Sequence, residues 1–177
     1  MGSIVYYVAC SLDGFIATAD GGVAWLDRFN RPGGEDYGYA DLLKRTGALI
    51  MGANTYRQIE HMRPWPYGGR PCYVLSHHPL PAPPDPRVRF VSATAAALAR
   101  RVQKAHGDKD IWLVGGAQAA GQFISKGLVD EYIVSVAPVL LGSGVPLFLQ
   151  TGPERWLKLV GSRAYPGGIV QLHYRRG

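Results

Sequence analysis

An α/β fold, with a mostly parallel central sheet and antiparallel C-terminal strands, is what this sequence predicts, and three observations carry the prediction. Short buried strand patterns, among them "GALIMG" (47–52), "RPCYVLS" (70–76) and "DIWLVGG" (110–116), alternate with helical patterns as far as residue 128. Such alternation places helices on the faces of one sheet. Beyond it come three strand-like runs with no helix between them, 130–140, 155–165 and 168–176, which suit an antiparallel edge. The length of 177 residues, 47% of them hydrophobic, suffices for one core, so the chain reads as a single domain over 1–177.

The elements follow in order. "SIVYYVAC" (3–10) is β-branched and aromatic and opens the chain as a strand, and Asp13-Gly14 in "SLDGFIA" (11–17) is a turn. Two glycine-rich stretches, 19–26 and 29–40, flank Trp25 and read as a long mobile loop region. From Asp36 the pattern "DYGYADLLKR" puts Tyr39, Ala40 and Leu43 on one helical face, and "NTYRQIEHM" (54–62) is a short helix with Asn54 or Thr55 as its N-cap. The proline-rich stretch 77–86 is a loop, and 87–91 is a short strand. Ser92 or Thr94 caps a helix that Gly107 ends, and 117–128 is the last helix.

Composition narrows the function classes. The net charge of +6 comes from scattered residues, with only Arg100-Arg101 and Arg175-Arg176 as doublets, so it describes a solvated basic surface and not a nucleic-acid platform. Cys10 and Cys72 fall inside strand patterns without metal spacing and read as buried thiols. No apolar run approaches the ~18 residues of a membrane span, and residues 1–20 lack a signal-peptide pattern, so a cytoplasmic protein is expected. The five histidines are scattered, and exposed loop positions are their default; no metal constellation is expected.

Chemistry concentrates where strands end. Gly115-Gly116 closes a strand at a helix start, where bare amides and the positive end of the helix dipole suit a pyrophosphate, although the spacing does not match G-x-G-x-x-G. Gly52 repeats the arrangement and Ser76 ends a third strand, so the three line the carboxyl edge of a parallel sheet, the place for a nucleotide. Asp36, beside Tyr37 and near Trp25, is the candidate for acid-base work if a partly dry pocket raises its pKa, with Glu35 competing for the same role and Asp41 more than one turn further along; an acidic residue at a helix start is ordinarily a cap. "LLGSGVPLF" (140–148) reads as a backbone nest over a ligand or as a plain reverse turn.

Taken together, "YYVACSLDGFIA" (6–17), "DYGYADLLKRTGALIMGANTY" (36–56), "RPCYVLS", "DIWLVGGAQAAGQFI" (110–124) and "VDEYIVSVAPVLLGSGVPLF" (129–148) resemble the dihydrofolate-reductase-like superfamily. "SLDGFIA" and "PVLLGSGVPLF" bring the chain closest to the branch related to the reductase domain of bacterial riboflavin biosynthesis. The resemblance implies a three-layer sandwich, a nicotinamide cofactor and, by family habit, a homodimer through the apolar C-terminal strands. It places Ala9 and Ile16 beside the nicotinamide and Trp25 in the loop that closes over it. Gly52, Asn54 and Thr55 would meet the pyrophosphate, and Leu75, Ser76 and His77 the adenosine ribose. Val114, Gly115 and Gly116, followed by Ala117, Gln118 and Ala119, would border the nicotinamide and phosphates. Asp36 would orient a pterin and assist its protonation, with Ser135 supporting that carboxylate. Two departures stand out. Ala53 replaces the arginine that contacts the 2′-phosphate of NADPH, which leaves NADH open unless Arg57, His77 or His78 substitutes, and Arg70 falls near the position that grips a folate glutamate.

These readings lead to an NADPH-dependent reductase that passes hydride to a C=N bond of a pterin-like heteroaromatic small molecule. The alternative is a 5-amino-6-(5-phosphoribosylamino)uracil reductase, although the sequence has no fused deaminase pattern and no basic cluster for a ribose phosphate. An alternative of another class is a nucleotide-binding protein without turnover.

Overall fold

The computed structural model describes residues 1–177 apart from Pro32, Pro79, Leu80, Pro84 and Gln150. The chain runs through β1 (Ile4–Ser11), β2 (Phe15–Ala17), α1 (Tyr39–Arg45), β3 (Thr46–Gly52), α2 (Ala53–Ile59), β4 (Cys72–Leu75) and β5 (Val88–Val91). It continues through α3 (Ala95–His106), β6 (Asp110–Gly115), α4 (Ala117–Ser125), β7 (Glu131–Ala137), β8 (Val145–Pro146), β9 (Leu157–Ala164) and β10 (Val170–Arg176). Eight strands form one sheet in the order β5-β4-β3-β6-β1-β7-β10-β9. The first six are parallel, while β10 runs antiparallel to β7 and β9 antiparallel to β10. The predicted mixed sheet is therefore present, and its antiparallel end follows from the tight turn between β9 and β10, where Tyr165 N–H donates to the Ile169 carbonyl at 2.8 Å.

Strand parity builds the three layers. Tyr6, Ile50 and Leu113 face α3 and α4, packing with Leu98, Val102 and Phe123. Val5, Met51 and Trp112, one residue out of phase, pack with Leu42 of α1 and Tyr56 and Ile59 of α2. Both faces of the parallel strands are thereby covered, which is why these strands read as continuous apolar runs. Burying one such leucine or isoleucine contributes about 2 kcal/mol.

Several local expectations are revised. Helix α1 begins at Tyr39, after Gly38 at φ +83°, so Asp36 lies ahead of the helix, and the packed face is Tyr39, Leu42 and Leu43 with Ala40 exposed. The cap of α2 is Gly52, and Asn54 and Thr55 lie inside its first turn. Of the two candidates for α3, Thr94 is the cap, its hydroxyl accepting from Ala97 N–H at 3.2 Å, and Gly107 at φ +61° ends the helix as expected. The stretch 77–86 has neither helix nor strand among its described residues, Pro79, Leu80 and Pro84 lying outside them.

The pair β2 and β8 had no sequence signal, being only three and two residues long. They pair antiparallel because the Asp13 carboxylate accepts from Leu141 N–H at 3.1 Å, Gly142 N–H at 2.7 Å and the Ser11 hydroxyl at 2.5 Å. The glycine-rich segment is thus a nest, and the anion in it is the chain's own Asp13. At the opposite, amino edge of the sheet, Arg45 forks onto buried Glu131 at 2.8 and 2.9 Å and reaches Asp110 at 2.7 Å. His173 Nε2 approaches Glu131 Oε1 to 2.6 Å, off the line of a hydrogen bond. Two histidines therefore leave the expected exposed-loop class: His173 lies in β10, and His106, ending α3, faces the Tyr73 hydroxyl at 3.2 Å.

Candidate active site

A cleft of about 1110 Å³ opens along the carboxyl ends of the parallel strands. Its walls include Ala9 of β1 and Ile16 of β2, the Gly52, Asn54 and Thr55 corner, and Leu75, Ser76 and His77 at the end of β4. The end of β6 adds Val114, Gly115 and Gly116, and the start of α4 adds Ala117, Gln118 and Ala119. Asp36 and Ser135 line it as well. Chain segments more than a hundred residues apart meet here because the strand ends share one sheet edge.

The Gly115-Gly116 corner is more than a tight turn. Gly115 at φ +132° and Gly116 at φ +31° hold conformations that a side chain would strain. Gly116 N–H is already engaged, donating to the Thr55 hydroxyl at 2.8 Å, so α2 and α4 are joined directly. The next three amides, of Ala117, Gln118 and Ala119, open α4 without a side-chain cap. Their open donors, the helix dipole and the small residues around them fit the pyrophosphate of a dinucleotide. At the far end, Arg57 and the adjacent His77 and His78 line the cleft close to Ala53, with Arg57 donating to Asn54 Oδ1 at 2.9 Å. Ser76 and His78 close a small turn, the Ser76 hydroxyl donating to the His78 carbonyl at 2.8 Å.

The other half is aromatic. Trp112 is met edge-on by Tyr7, Tyr39 and Tyr67, with ring centroids 5.6, 5.7 and 5.1 Å away. The phenols of Tyr7 and Tyr39 donate to the carbonyls of Tyr37 at 3.2 Å and Pro66 at 2.7 Å. Asp36 sits at the mouth of this half, exposed, its two oxygens accepting from Gly38 N–H and Ala40 N–H, each at 3.0 Å. The bond from Ala40 and then that from Gly38 hold its carboxyl below the usual carboxylate range, which overrides the small opposing effect of burial. The expected rise of its pKa is thus reversed, because Asp36 caps the approach to α1 and keeps contact with water.

Ser135 does not touch Asp36. Buried opposite Ala9 in the β1–β7 ladder, it accepts from Gln171 Nε2 at 3.0 Å, and the same amide donates to the Tyr37 carbonyl at 2.8 Å. Trp25 lies in a single helical turn, Ala24–Leu26, and packs toward Phe29, Tyr165 and Ile169. It is not on the cleft wall; its neighbours Val23, Leu26 and Phe29 are. Arg70 is likewise turned to structure, its guanidinium donating to the carbonyls of Thr46, Tyr67 and Leu43.

The family model for the RibD C-terminal domain matches residues 3–171. The chain belongs to this family. Among curated proteins, YwjB of Bacillus subtilis (strain 168) is 39% identical over 173 residues, covering 97% of both chains, and YyaP of the same organism is 31% identical over 185 residues, covering 97% of this chain and 93% of its own. The crystal structure of a putative riboflavin biosynthesis protein from Shewanella sp. PV-4 superposes with a TM-score of 0.87 at 28% identity, covering 99% of both chains. Acinetobacter baumannii RibD shares the fold, with a TM-score of 0.71 at 21% identity over 58% of its own length. The RibD C-terminal fold, a member of the dihydrofolate-reductase-like class, is thereby shown for this chain, in the branch to which its motifs point.

Sequence reasoning missed the aromatic half of this RibD-type cleft, yet parity held the signal. In a strand, residues i and i+2 share a face, so Ala9 on the wall entails Tyr7, and Val114 entails Trp112. Tyr67 and Pro66 had no such signal, since they reach the cleft from a loop.

Proposed function

We propose that this protein is an NAD(P)H-dependent reductase of a flat heteroaromatic small molecule, delivering hydride to a C=N bond. The observation that carries the reading is one continuous cleft with a pyrophosphate-fitting corner at Gly52, Thr55 and Gly115–Ala119 and an aromatic bay beyond it. A bound nicotinamide dinucleotide would supply the hydride. Thr55 fixes the corner, and the opening amides of α4 bind the phosphates. Arg57 supplies the positive charge that Ala53 does not, and His77 and His78 add ring nitrogens for hydrogen bonding, which favours NADPH over NADH. Tyr7, Tyr39 and Trp112 hold the substrate ring flat, and Ser135 presents its hydroxyl beside Ala9. Asp36, ionised throughout the neutral range, orients donor groups of the substrate and holds the water that delivers the proton.

Oxidation of NADPH followed at its nicotinamide absorbance, with a dihydropterin as acceptor, tests the reading. Asp36→Asn is expected to lower kcat/KM by about a hundredfold, the usual contribution of a proton-transfer group. An unchanged rate removes Asp36 from the role. Because hydrogen bonds hold its pKa down, the acid limb of wild-type kcat/KM should lie below the ordinary carboxylate range and vanish in Asp36→Asn. The second reading, a 5-amino-6-(5-phosphoribosylamino)uracil reductase, is favoured by the family match itself.

A single-domain, cytoplasmic homodimer belongs to the same proposal. Cys10 and Cys72 are buried and unpaired, as in a reducing compartment. Strand β9 is an open edge of the sheet and exposes Leu159 and Val160, with Trp156 exposed just ahead of it, and two-fold pairing with a second copy would cover them.

A further inference from the structure

The two halves of the cleft differ in charge. Among the described residues, Arg57 is the one lysine or arginine on its wall, and it lies at the adenosine end. The aromatic half carries Glu35 and Asp36 instead. Cations near that half lie off its wall: Lys44 and Arg163 act on the Asp36 carboxyl from outside it, and Arg28 lies over the Phe29 ring at 5.3 Å. Arg70 is spent on three backbone carbonyls, Lys44 is paired with Asp41 at 2.8 Å, and Arg163 lies over the Tyr165 ring at 4.6 Å, off the cleft wall.

The hydrogen-bonding groups there have the same bias. The Tyr7 and Tyr39 hydroxyls already donate to backbone carbonyls, and the carboxylate oxygens of Asp36 keep lone pairs after accepting from Gly38 and Ala40. Ser135, whose oxygen accepts from Gln171, and Asn30 can still donate, and what remains is acceptor-rich and aromatic. Such a surface attracts ring N–H and amino groups, tolerates positive charge against the half-buried Tyr7 and Tyr39 rings, and repels anions. A phosphate or carboxylate tail placed here would gain two like charges, Glu35 and Asp36, as neighbours.

We infer that the substrate is a flat, amino-bearing heteroaromatic, uncharged or cationic, that carries neither a phosphate nor a carboxylate tail. The inference rests on the reductase reading of the same cleft and sets this protein apart from a reductase of a ribose-phosphate substrate.

Two matched pairs test it: 5-amino-6-(ribosylamino)uracil against its 5′-phosphate, and dihydrobiopterin against dihydrofolate. Dissociation constants are measured by isothermal titration with the NADP⁺-loaded full chain, and NADPH oxidation is followed in parallel. The tail-free member of each pair should bind about tenfold tighter or more, and Glu35→Lys should shrink that preference severalfold by putting a cation where an anion stood. Equal or tighter binding of the anionic members, or no binding of either tail-free compound, overturns the inference. A tail-free preference without NADPH oxidation would sustain it and count against the reductase. Oxidation that runs faster with the anionic members would sustain the reductase and overturn the substrate class.

Discussion

Replacing Thr55 by valine removes one acceptor and almost no volume, which makes it the sharpest probe of the cofactor corner. The Gly116 amide, 2.8 Å from the Thr55 hydroxyl, then loses its partner. A fully buried orphaned donor costs about 1–3 kcal/mol, but Thr55 and Gly116 are both half-buried, so water takes over part of the bond and the lower end applies. A loss of about 1 kcal/mol corresponds to a fall in Tm of about 2–4 °C for a domain of this size. Function should suffer more than stability. Gly116 precedes the opening amides of α4, and a Cβ placed on it would come within 3.1 Å of the Thr55 hydroxyl, so the corner is set to a tight tolerance. Loosening it should weaken NADPH binding about tenfold, an energy of about 1.4 kcal/mol. Differential scanning calorimetry gives the first number and fluorescence titration with NADPH the second. Thr55→Ser, which keeps the oxygen, should restore both. A Thr55→Val protein that binds NADPH as tightly as wild type would refute the assignment of this corner.

Two further outcomes are expected. Burial raises the cost of charging Glu131, but hydrogen bonds from Arg45, with His173 and Arg175 close by, outweigh it and hold the carboxyl below its ordinary value of 4.5. A depressed carboxyl contributes stability that is present above its unfolded pKa and is lost as pH falls through the folded one. Tm should therefore be flat above about pH 5 and decline on acidification, and Glu131→Gln, measured at pH 7, should cost about 2–3 kcal/mol, less than a fully enclosed pair because Arg45 keeps a third of its exposure. In β9, Leu159→Asp should convert the proposed dimer to a monomer in sedimentation velocity while leaving the thermal transition of the core intact, and a monomeric wild type would dismiss the β9 interface.

What could be read from the sequence follows a physical boundary. The β4 and β6 strands were legible because both faces are covered and their residues form unbroken apolar runs. The Gly52, Ser76 and Gly115 corners were legible because strand ends in a parallel sheet converge. Asp36 was found by position but its ionisation was misjudged, since its pKa is set by the Gly38 and Ala40 amides, a loop geometry that spacing does not encode. Trp25, expected in the loop over the cofactor, packs beside Phe29 off the cleft wall while its loop neighbours line it; within a glycine-rich loop no periodicity tells which side chain turns inward. The β2–β8 pair depends on Asp13 meeting Gly142, 129 residues away, and no local pattern announces such a bond.

That bond also bears on how the cleft would receive a ligand. Because Asp13 supplies the anion for the 141–142 amides, the β2–β8 wall, with Ile16 and Pro146 on it, stands assembled before anything binds. A wall ordered in advance has no conformational entropy left to surrender on binding. On the proposed reductase reading, adjustment to a ligand is expected from Val23, Leu26, Phe29 and Glu35, which line the same cleft. Substitutions at these four residues are expected to retune selectivity without loosening the proposed cofactor corner, as read by separate titrations with substrate and NADPH.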